Sequence, residues 1–269
     1  MSEAAISAKI ELRGISKSFA AGSGTLDVLH ELNLSVAPAQ FVSIIGPSGC
    51  GKSTMFNIMA GLEPATSGEV LVDGRPAHSN LDFAYMPQKD LLFPWRKILG
   101  NTILGLEIQG VKKKEAHERA LPLFREFGLA GFENAYPHEL SGGMRQRAAL
   151  LRTVIQETSV ILLDEPFGAL DSLTRTDMQE WLGEVWERFK WTVLLITHDI
   201  REAILLADVV YVLTHRPATV RSAVPIDLPR PRTLELFATE RFVAIEQRLV
   251  SELHEEAAAA VATTPGTSS

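Results

Sequence analysis

Cysteine is almost absent from this chain of 269 residues, which contains only Cys50. A single thiol cannot build a disulfide framework or a cysteine-rich metal cluster, and this scarcity is typical of proteins in a reducing compartment. Positive charge is also scarce, because 26 lysines and arginines stand against 33 aspartates and glutamates and leave a net charge of -7. The overall field of the chain therefore does not attract nucleic acid, and no nucleic-acid partner is expected.

Long apolar runs are missing as well. The longest lie around residues 160–163, 192–196 and 203–213, and they are far shorter than the roughly 18 to 20 residues that cross a bilayer. The first residues also lack the basic and apolar regions of a signal peptide, which predicts no export. Any work at a membrane is therefore expected to depend on a partner.

The patterns that are present predict an α/β fold with one substantial core, since 46% of the residues are hydrophobic. Strand-like alternation through residues 9–36, broken by a glycine-containing turn, predicts an antiparallel hairpin. Helical periodicity without strand character predicts a helical insertion at 87–155. After a further series of buried strands, an amphipathic helix is predicted at 233–260 and a disordered tail at 261–269.

The most informative stretch is residues 46–54, which read Gly-Pro-Ser-Gly-Cys-Gly-Lys-Ser-Thr and fit the pattern G-x-x-x-x-G-K-[ST]. An alternating, β-rich apolar run precedes it, and a helical pattern follows until Gly61. A strand, a glycine loop and a helix thus occur in the order that a phosphate-binding loop requires. The structural alternative is a glycine-rich turn without a ligand.

Anion capture explains the composition of this loop. Its glycines allow backbone N–H groups to turn inward around a polyphosphate, and the following helix adds its N-terminal dipole. Lys52 supplies a mobile charge for the β- and γ-phosphates, while the Ser53 hydroxyl suits Mg²⁺. The residues predicted to bind a nucleoside triphosphate here are Gly46, Pro47, Ser48, Gly49, Cys50, Gly51, Lys52, Ser53 and Thr54.

Two adjacent carboxylates end a buried strand at residues 160–166, which read Val-Ile-Leu-Leu-Asp-Glu-Pro. Burying paired acids is costly unless a metal ion or a proton-transfer task compensates for it. Since side chains alternate along a strand, Asp164 and Glu165 should diverge. We expect Asp164 to face Mg²⁺ and Glu165 to act as general base for an attacking water.

Three further positions each admit two interpretations. Phe19, at a strand end, could stack on an adenine or belong to the core. Gln88 could reach the metal or the attacking water, or be a solvated loop amide. His198 follows a buried strand at the edge where α/β sheets gather ligand groups, which favours a γ-phosphate contact over a polar helix cap. Asp171 could be a simple cap of the helix that follows it.

A second glycine-led helix start occurs at residues 140–143, which read Leu-Ser-Gly-Gly. Ser141 could be an ordinary N-cap, with Gly142 and Gly143 loosening a turn. Two glycines cost helix propensity, however, and they expose backbone N–H donors at a positive dipole end. Because the first loop already holds one set of phosphates, this second cradle predicts contact with a nucleotide on another copy of the chain, and hence a dimer.

An apolar cluster at residues 91–95, Leu-Leu-Phe-Pro-Trp, precedes Arg96 and Lys97. It could cap the core of the helical insertion. Aromatic residues beside basic ones are also typical of interface anchors, and this second interpretation, a surface for a partner, is favoured.

Taken in order, these motifs resemble the nucleotide-binding subunits of ATP-binding cassette transporters over roughly residues 8–232. The resemblance implies a P-loop NTPase core with a RecA-like mixed sheet, an antiparallel β subdomain and an inserted α-helical signature subdomain. It implies an ATPase domain over 1–232, with the inserted subdomain at 87–155. The implied positions are Gln88 as Q-loop glutamine, Asp171 as D-loop aspartate, His198 as switch histidine, Phe19 as adenine-stacking aromatic, and Ser141 and Gly143 as ligands of the partner's ATP.

Several shorter sequence segments resemble those of the nitrate, sulfonate and taurine importer branch of this family. The segments that carry this likeness are 92–96, 136–144, 166–171 and 228–232. The likeness implies a bacterial uptake system in which a homodimer of ATPase subunits lies on the cytoplasmic face of the inner membrane. A separate permease and an extracytoplasmic solute-binding protein are the implied partners, with ATP and Mg²⁺ as cofactors and Ser53, Gln88 and Asp164 around the metal.

Two departures from this branch and two rival functions remain. The branch usually reads Ala-Arg-Ala where this chain has Leu151-Arg152-Thr153, and Ser159 replaces a common proline. One rival is a soluble ATPase of DNA repair or cofactor assembly. The sequence contains no long coiled-coil insertion and no second cassette, which counts against a DNA-repair ATPase. The other rival is the ATPase of an exporter.

Overall fold

Two β-sheets organise the protein, for which a computed structural model describes residues 8–22, 24–78 and 82–263. The first is a four-stranded antiparallel sheet in the order β2-β1-β4-β5. Its strands are β1 Ile10–Ala21, β2 Gly24–Val36, β4 Ser67–Val72 and β5 Arg75–Pro76. The predicted hairpin is therefore part of a small sheet, with β2 at its edge, and the α/β class with an antiparallel subdomain is confirmed.

The second sheet has six strands in the order β10-β9-β3-β8-β7-β6. It is parallel except for β10, which pairs antiparallel at one edge. Every residue of β3, β7 and β8 is buried, as expected for parallel strands that are covered on both faces. Its strands are β3 Phe41–Ile45, β6 Phe83–Met86, β7 Val160–Asp164, β8 Thr192–Ile196, β9 Val209–Leu213 and β10 Val220–Pro225.

Helices cover both faces of this sheet and form the inserted region. On one face, α1 packs with the antiparallel sheet around Phe56, which is fully buried. The helices α2 to α5 fall within the predicted insertion and share a core with the opposite face. The helices are α1 Lys52–Met59, α2 Ile98–Thr102, α3 Leu104–Ile108, α4 Lys113–Glu126, α5 Gly142–Val154, α6 Ser172–Phe189, α7 Ile200–Leu206 and α8 Glu240–Thr263.

The C-terminal helix differs from its predicted bounds of 233–260. Leu234–Ala238 is a 3-10 turn, and α8 begins only at Glu240. Thr239 is extended and its hydroxyl accepts the Phe242 N–H at 3.3 Å, so a local cap separates the two segments. The helix also continues through residues 261–263, which were predicted as part of the tail, while residues 264–269 lie outside the described ranges.

No helix in the described part of the chain is both long enough and apolar enough to cross a bilayer.

Arg232 ties the segment after β10 to the end of α7. It is 9% exposed, and its Nη1 donates to the carbonyls of Ile204 at 2.8 Å and Ala207 at 2.5 Å. Its Nη2 donates to the carbonyl of Ile226 at 3.0 Å. Burial lowers the pKa of Arg232 to about 10. Buried carbonyls without donors are costly, so this one side chain stabilises several backbone groups.

We therefore expect Arg232→Met to lower the free energy of unfolding by roughly 3 kcal/mol, because three buried carbonyls lose their donors. Urea unfolding followed by circular dichroism measures the change. The control is Arg119→Met, which removes only exposed ion pairs, with Glu115 on α4 and with Glu157, and should cost about 0.5 kcal/mol or less. Equal unfolding midpoints for the two variants would contradict the role assigned to Arg232.

Candidate nucleotide-binding site

The loop between β3 and α1 requires glycine for two reasons. Gly49 and Gly51 have φ angles of 71° and 122°, which L-residues with side chains rarely adopt. A Cβ at Gly51 would also lie 2.8 Å from side-chain atoms of Val28 and Leu29. No side chain caps the start of α1. The first backbone N–H groups of this helix thus border a concavity without a side-chain acceptor, as expected of an anion site.

Lys52 lies inside this loop. It is 7% exposed, and its Nζ donates to the carbonyls of Gly46 at 2.8 Å and Pro47 at 3.0 Å. These bonds hold the ammonium group beside the concavity and compensate for its burial. Cys50 is buried in the same loop, and burial raises the pKa of its thiol above the ordinary value. The thiol is therefore protonated near neutral pH and acts as a packing group.

Asp164 and Glu165 diverge at the end of β7. The Oδ1 atom of Asp164 accepts the Ser53 hydroxyl at 3.4 Å, and its Oδ2 accepts the hydroxyl of Tyr85 at 3.1 Å. Burial raises the pKa of Asp164, although these two hydrogen bonds favour the charged form. Burial and the nearby Asp164 charge also raise the pKa of Tyr85, so this hydroxyl remains a donor. The sequence patterns did not indicate that Tyr85 is a hydrogen-bond donor to Asp164.

Glu165 leaves the strand in an unusual backbone conformation, with a φ of 45°. Such left-handed geometry is costly for a residue with a side chain and often occurs at functional sites. The turn directs the carboxylate toward two other predicted site residues. Gln88 Nε2 donates to Glu165 Oε2 at 2.9 Å, and His198 Nδ1 lies 3.4 Å from the same oxygen.

These groups line one cavity of about 810 Å³, a size that suits a ligand as large as a nucleotide. Phe19 forms part of its wall, and the Lys17 ammonium lies 4.7 Å from the centre of the Phe19 ring. The cavity also contains Arg216, which the sequence analysis did not identify. The lining residues are Phe19, Leu26, Val28, Gly46, Ser48, Gly49, Gly51, Lys52, Ser53, Thr54, Gln88, Glu165, His198 and Arg216.

The predicted second cradle does not line this cavity. Ser141 is the N-cap of α5, and its hydroxyl accepts the Met144 N–H at 3.3 Å. A Cβ at Gly143 would lie 2.9 Å from the Thr174 side chain, so glycine also serves the close packing of α5 on α6.

Two further residues of the predicted site lie at the same contact. A Cβ at Gly142 would lie 3.2 Å from the Leu170 side chain. Asp171 caps α6 by accepting the Thr174 N–H at 3.1 Å, and this hydrogen bond lowers the pKa of Asp171. Ser141, Gly142, Gly143 and Asp171 thus form a group of their own, apart from the cavity.

Comparison with known proteins identifies the family. A family model described as ABC transporter matches residues 29–168. Formylaminopyrimidine import ATP-binding protein ThiZ of Halalkalibacterium halodurans is 46% identical over 215 residues, which is 79% of this chain and 84% of the relative. Nitrate import ATP-binding protein NrtD of Synechocystis sp. is 40% identical (82% and 83% covered), and aliphatic sulfonates import ATP-binding protein SsuB of Bacillus subtilis is 41% identical (84% and 86%).

A solved structure agrees with these relatives. It is an ATP-binding cassette described as a dimer in a post-hydrolysis state with ADP and phosphate bound, and it superposes with a TM-score of 0.71 at 29% identity. The match covers 82% of this chain and all of that one. The fold and the cavity define a P-loop ATPase. The chain belongs to the ABC transporter family, and it binds and hydrolyses ATP as the ATPase subunit of such a transporter.

A buried acid lies behind the cavity. Glu202 of α7 is 4% exposed, and its Oε2 accepts Gln179 Nε2 at 3.2 Å. Its Oε1 has no hydrogen-bond partner among the described residues. Burial, with a contribution from the charge of Asp199, raises the pKa of Glu202 to about 8. The folded protein thus holds a proton here that the unfolded chain, with an ordinary value of 4.5, releases.

This raised pKa predicts a pH dependence of stability. The stabilisation from the bound proton is complete below pH 4.5 and is lost as pH rises toward 8, by at most about 1.4 kcal/mol per pH unit. Glu202→Gln removes the titration, so this variant should gain stability relative to the unmodified protein between pH 5 and pH 8. Urea unfolding at several pH values measures the difference. Glu118→Gln, an exposed control on α4, should show no such trend, and a pH-independent difference for Glu202→Gln would refute the raised pKa.

Proposed function

We propose that this ATPase subunit powers the import of a small solute, of the nitrate, sulfonate or taurine kind, through a separate permease. One observation carries the proposal: the phosphate loop, Glu165, Gln88 and His198 line one cavity, and Asp164 accepts a hydrogen bond from Ser53 of that loop. The relatives named above carry import functions in their names. The chain would lie on the cytoplasmic face of the inner membrane as a peripheral subunit.

The donors beside the phosphate loop fit Mg²⁺. Ser53 Oγ and Asp164 Oδ1 lie 3.4 Å apart, and Gln88 offers a further amide oxygen at the same edge. All of these are hard oxygen ligands. No group of three or more His, Cys, Asp or Glu side chains in the described residues could hold a metal by itself. Mg²⁺ is commonly coordinated by only one or two protein carboxylates together with substrate phosphates, so a cluster of acidic residues is not required. When bound, the ion would neutralise charge on the phosphates.

The remaining residues divide the chemistry of hydrolysis. Glu165 accepts a proton from the attacking water, and Gln88 and His198 hold that carboxylate and the water in place. Lys52 and the loop amides stabilise the negative charge that develops on the γ-phosphate. Phe19 stacks on the adenine at the far wall of the cavity. Each role follows from the position of the group relative to Glu165 and to the start of α1.

The active unit is a head-to-tail dimer. Ser141, Gly142 and Gly143 lie apart from the cavity of their own chain, so they would meet the ATP bound by a second copy, next to Asp171. The dimeric state of the solved cassette supports this arrangement. ATP would then lie between two chains, and its hydrolysis would release them.

Replacing the proposed base separates binding from hydrolysis. Glu165→Gln should keep ATP binding, accumulate an ATP-bound dimer and hydrolyse ATP about 10²- to 10⁴-fold more slowly, because the proton acceptor is lost. Phosphate release measures turnover, and gel filtration with ATP measures the dimer. Glu118→Gln is the matched control and should behave as the unmodified protein. Turnover near the normal rate in Glu165→Gln would show that another group is the base.

The apolar cluster at 91–95 is the proposed contact with the permease. Trp95 is 72% exposed and stacks on Phe93 at 5.1 Å between ring centroids, while Leu91 is 57% exposed. Exposed aromatic anchors of this kind carry much of the binding energy of interfaces. Trp95→Ala should therefore reduce co-purification with a multi-spanning membrane protein at least about tenfold, since anchors commonly contribute 2 kcal/mol or more. Leu62→Ala, another exposed apolar site, is the control.

The composition of that complex decides between transport and its rivals. Import would be supported if the complex includes an extracytoplasmic protein whose melting temperature rises when small anions, sulfonates or pyrimidine-like compounds are added. The compound that stabilises this protein would identify the solute class. A membrane complex without such a protein would favour an exporter. Purification with soluble repair or cofactor-assembly proteins, and with no membrane protein, would refute the transport function.

A further inference from the structure

The loop at residues 214–219, between β9 and β10, lies against the phosphate loop. The carbonyl oxygen of Leu213, at the start of this connection, would lie 3.1 Å from a Cβ placed on Gly46. At its other end, the Ala218 N–H donates to the Val28 carbonyl at 2.9 Å, and the His30 N–H donates to the Ala218 carbonyl at 3.0 Å. The 214–219 loop is thus held between the phosphate loop and β2, at the wall of the cavity.

Arg216 projects from this loop into the cavity. Its Nη2 lies 3.8 Å from the position that a Cβ on Gly49 would occupy. Within the described ranges, its side chain forms no ion pair, whereas Arg221 in β10 and Arg230 after it pair with carboxylates. Arg216 is therefore an exposed guanidinium beside a loop built for phosphate. The Lys52 ammonium already donates two of its three N–H groups to loop carbonyls. Phosphates in this loop would therefore have few donors from Lys52, and a second cation could supply more.

Side chains of the C-terminal helix α8 form hydrogen bonds and ion pairs with the 214–219 loop and with β10. Glu256 is 6% exposed, and its Oε2 accepts the His215 backbone N–H at 3.3 Å and lies 3.2 Å from His215 Nδ1. Its Oε1 accepts a hydrogen bond from Arg221. One and four residues earlier on α8, Glu255 pairs with Arg221 and Glu252 accepts from Ser222.

Glu256 is kept in its charged form despite its burial. Burial raises the pKa of this carboxyl, but the hydrogen bonds from Arg221 and His215 more than offset that effect and hold it below the ordinary value. The carboxylate that holds the residue next to Arg216 therefore remains an acceptor throughout the neutral pH range. A well-satisfied buried group of this kind specifies one loop position.

We propose that Arg216 binds the phosphates of the nucleotide, and that Glu256 positions it by holding the 214–219 loop against the phosphate loop. The ligand chemistry is that of a polyphosphate, which a guanidinium recognises through paired N–H donors and charge. The helix α8 thereby becomes part of the nucleotide site without touching the nucleotide. This inference rests on the proposed assignment of the phosphate loop as the nucleotide site, so its test must separate the two.

Binding of a fluorescent ATP analogue tests the role of Arg216. Arg216→Ala should raise the Kd about five- to twentyfold at low salt and less at high salt, because exposed charges are screened. Arg216→Lys should keep part of the affinity. Arg241→Ala, which removes an exposed ion pair at the other end of α8, is the control and should bind normally.

Lys52→Ala distinguishes the two ideas. If Lys52→Ala loses binding while Arg216→Ala binds as the unmodified protein does at every salt concentration, the site is correct and the inference about Arg216 is refuted. If Lys52→Ala binds normally, the assignment of the site itself fails.

A double-mutant cycle tests Glu256. Glu256→Gln should raise the Kd and the KM for ATP several-fold with little change in kcat, because it loosens the loop that carries Arg216 and leaves the groups around Glu165 in place. In an Arg216→Ala background, Glu256→Gln should add almost nothing to the loss of affinity. Two results would overturn the positioning role of Glu256 and leave it only structural. One is that the losses of ATP affinity from the two substitutions add independently, and the other is that Glu256→Gln lowers the melting temperature without changing the affinity.

Discussion

The parallel pairing of the central strands determines where the charged groups of the site lie. Ile196 pairs with Ile44 on one side and with Asp164 on the other, and Met86 pairs with Leu163. The residues that follow each strand therefore meet at one edge of the sheet. A slip of one residue would turn Asp164 to the opposite face. Because both faces of these strands are buried in apolar cores, such a slip is strongly disfavoured, and sheet packing positions the chemistry.

Three ionisable side chains are buried near this edge, and each is accommodated differently. Lys52 donates to two carbonyls of its own loop, which leaves its charge available to phosphates. Asp164 accepts from the hydroxyls of Ser53 and Tyr85, which favours the carboxylate. Glu202 has one amide donor and a pKa of about 8, so it is mostly protonated at neutral pH. The two groups proposed to bind phosphate and metal thus each have polar partners that favour the charged form, although burial still raises the pKa of Asp164.

Local patterns were sufficient to predict the strands, the glycine loop and the carboxylates, because their signals lie within a few consecutive residues. Contacts between distant segments were not predictable in this way. Tyr85 meets Asp164 across 79 positions of the chain, and His215 meets Glu256 across 41. The late start of α8 is an intermediate case, because Thr239 followed by Glu240 is a local capping signal that the longer apolar periodicity concealed.

The glycines at the start of α5 connect the fold to the proposed dimer. Gly143 allows α5 to pack on Thr174, and Gly142 allows the close approach of Leu170, so the starts of α5 and α6 form one packed unit. Ser141 caps one helix of this unit and Asp171 caps the other. A nucleotide presented by a second chain would therefore meet both motifs together, while its phosphates remain held by the phosphate loop of that second chain. Such an arrangement would make the proposed closed dimer depend on ATP, because one chain alone does not bring all of these groups to one cavity.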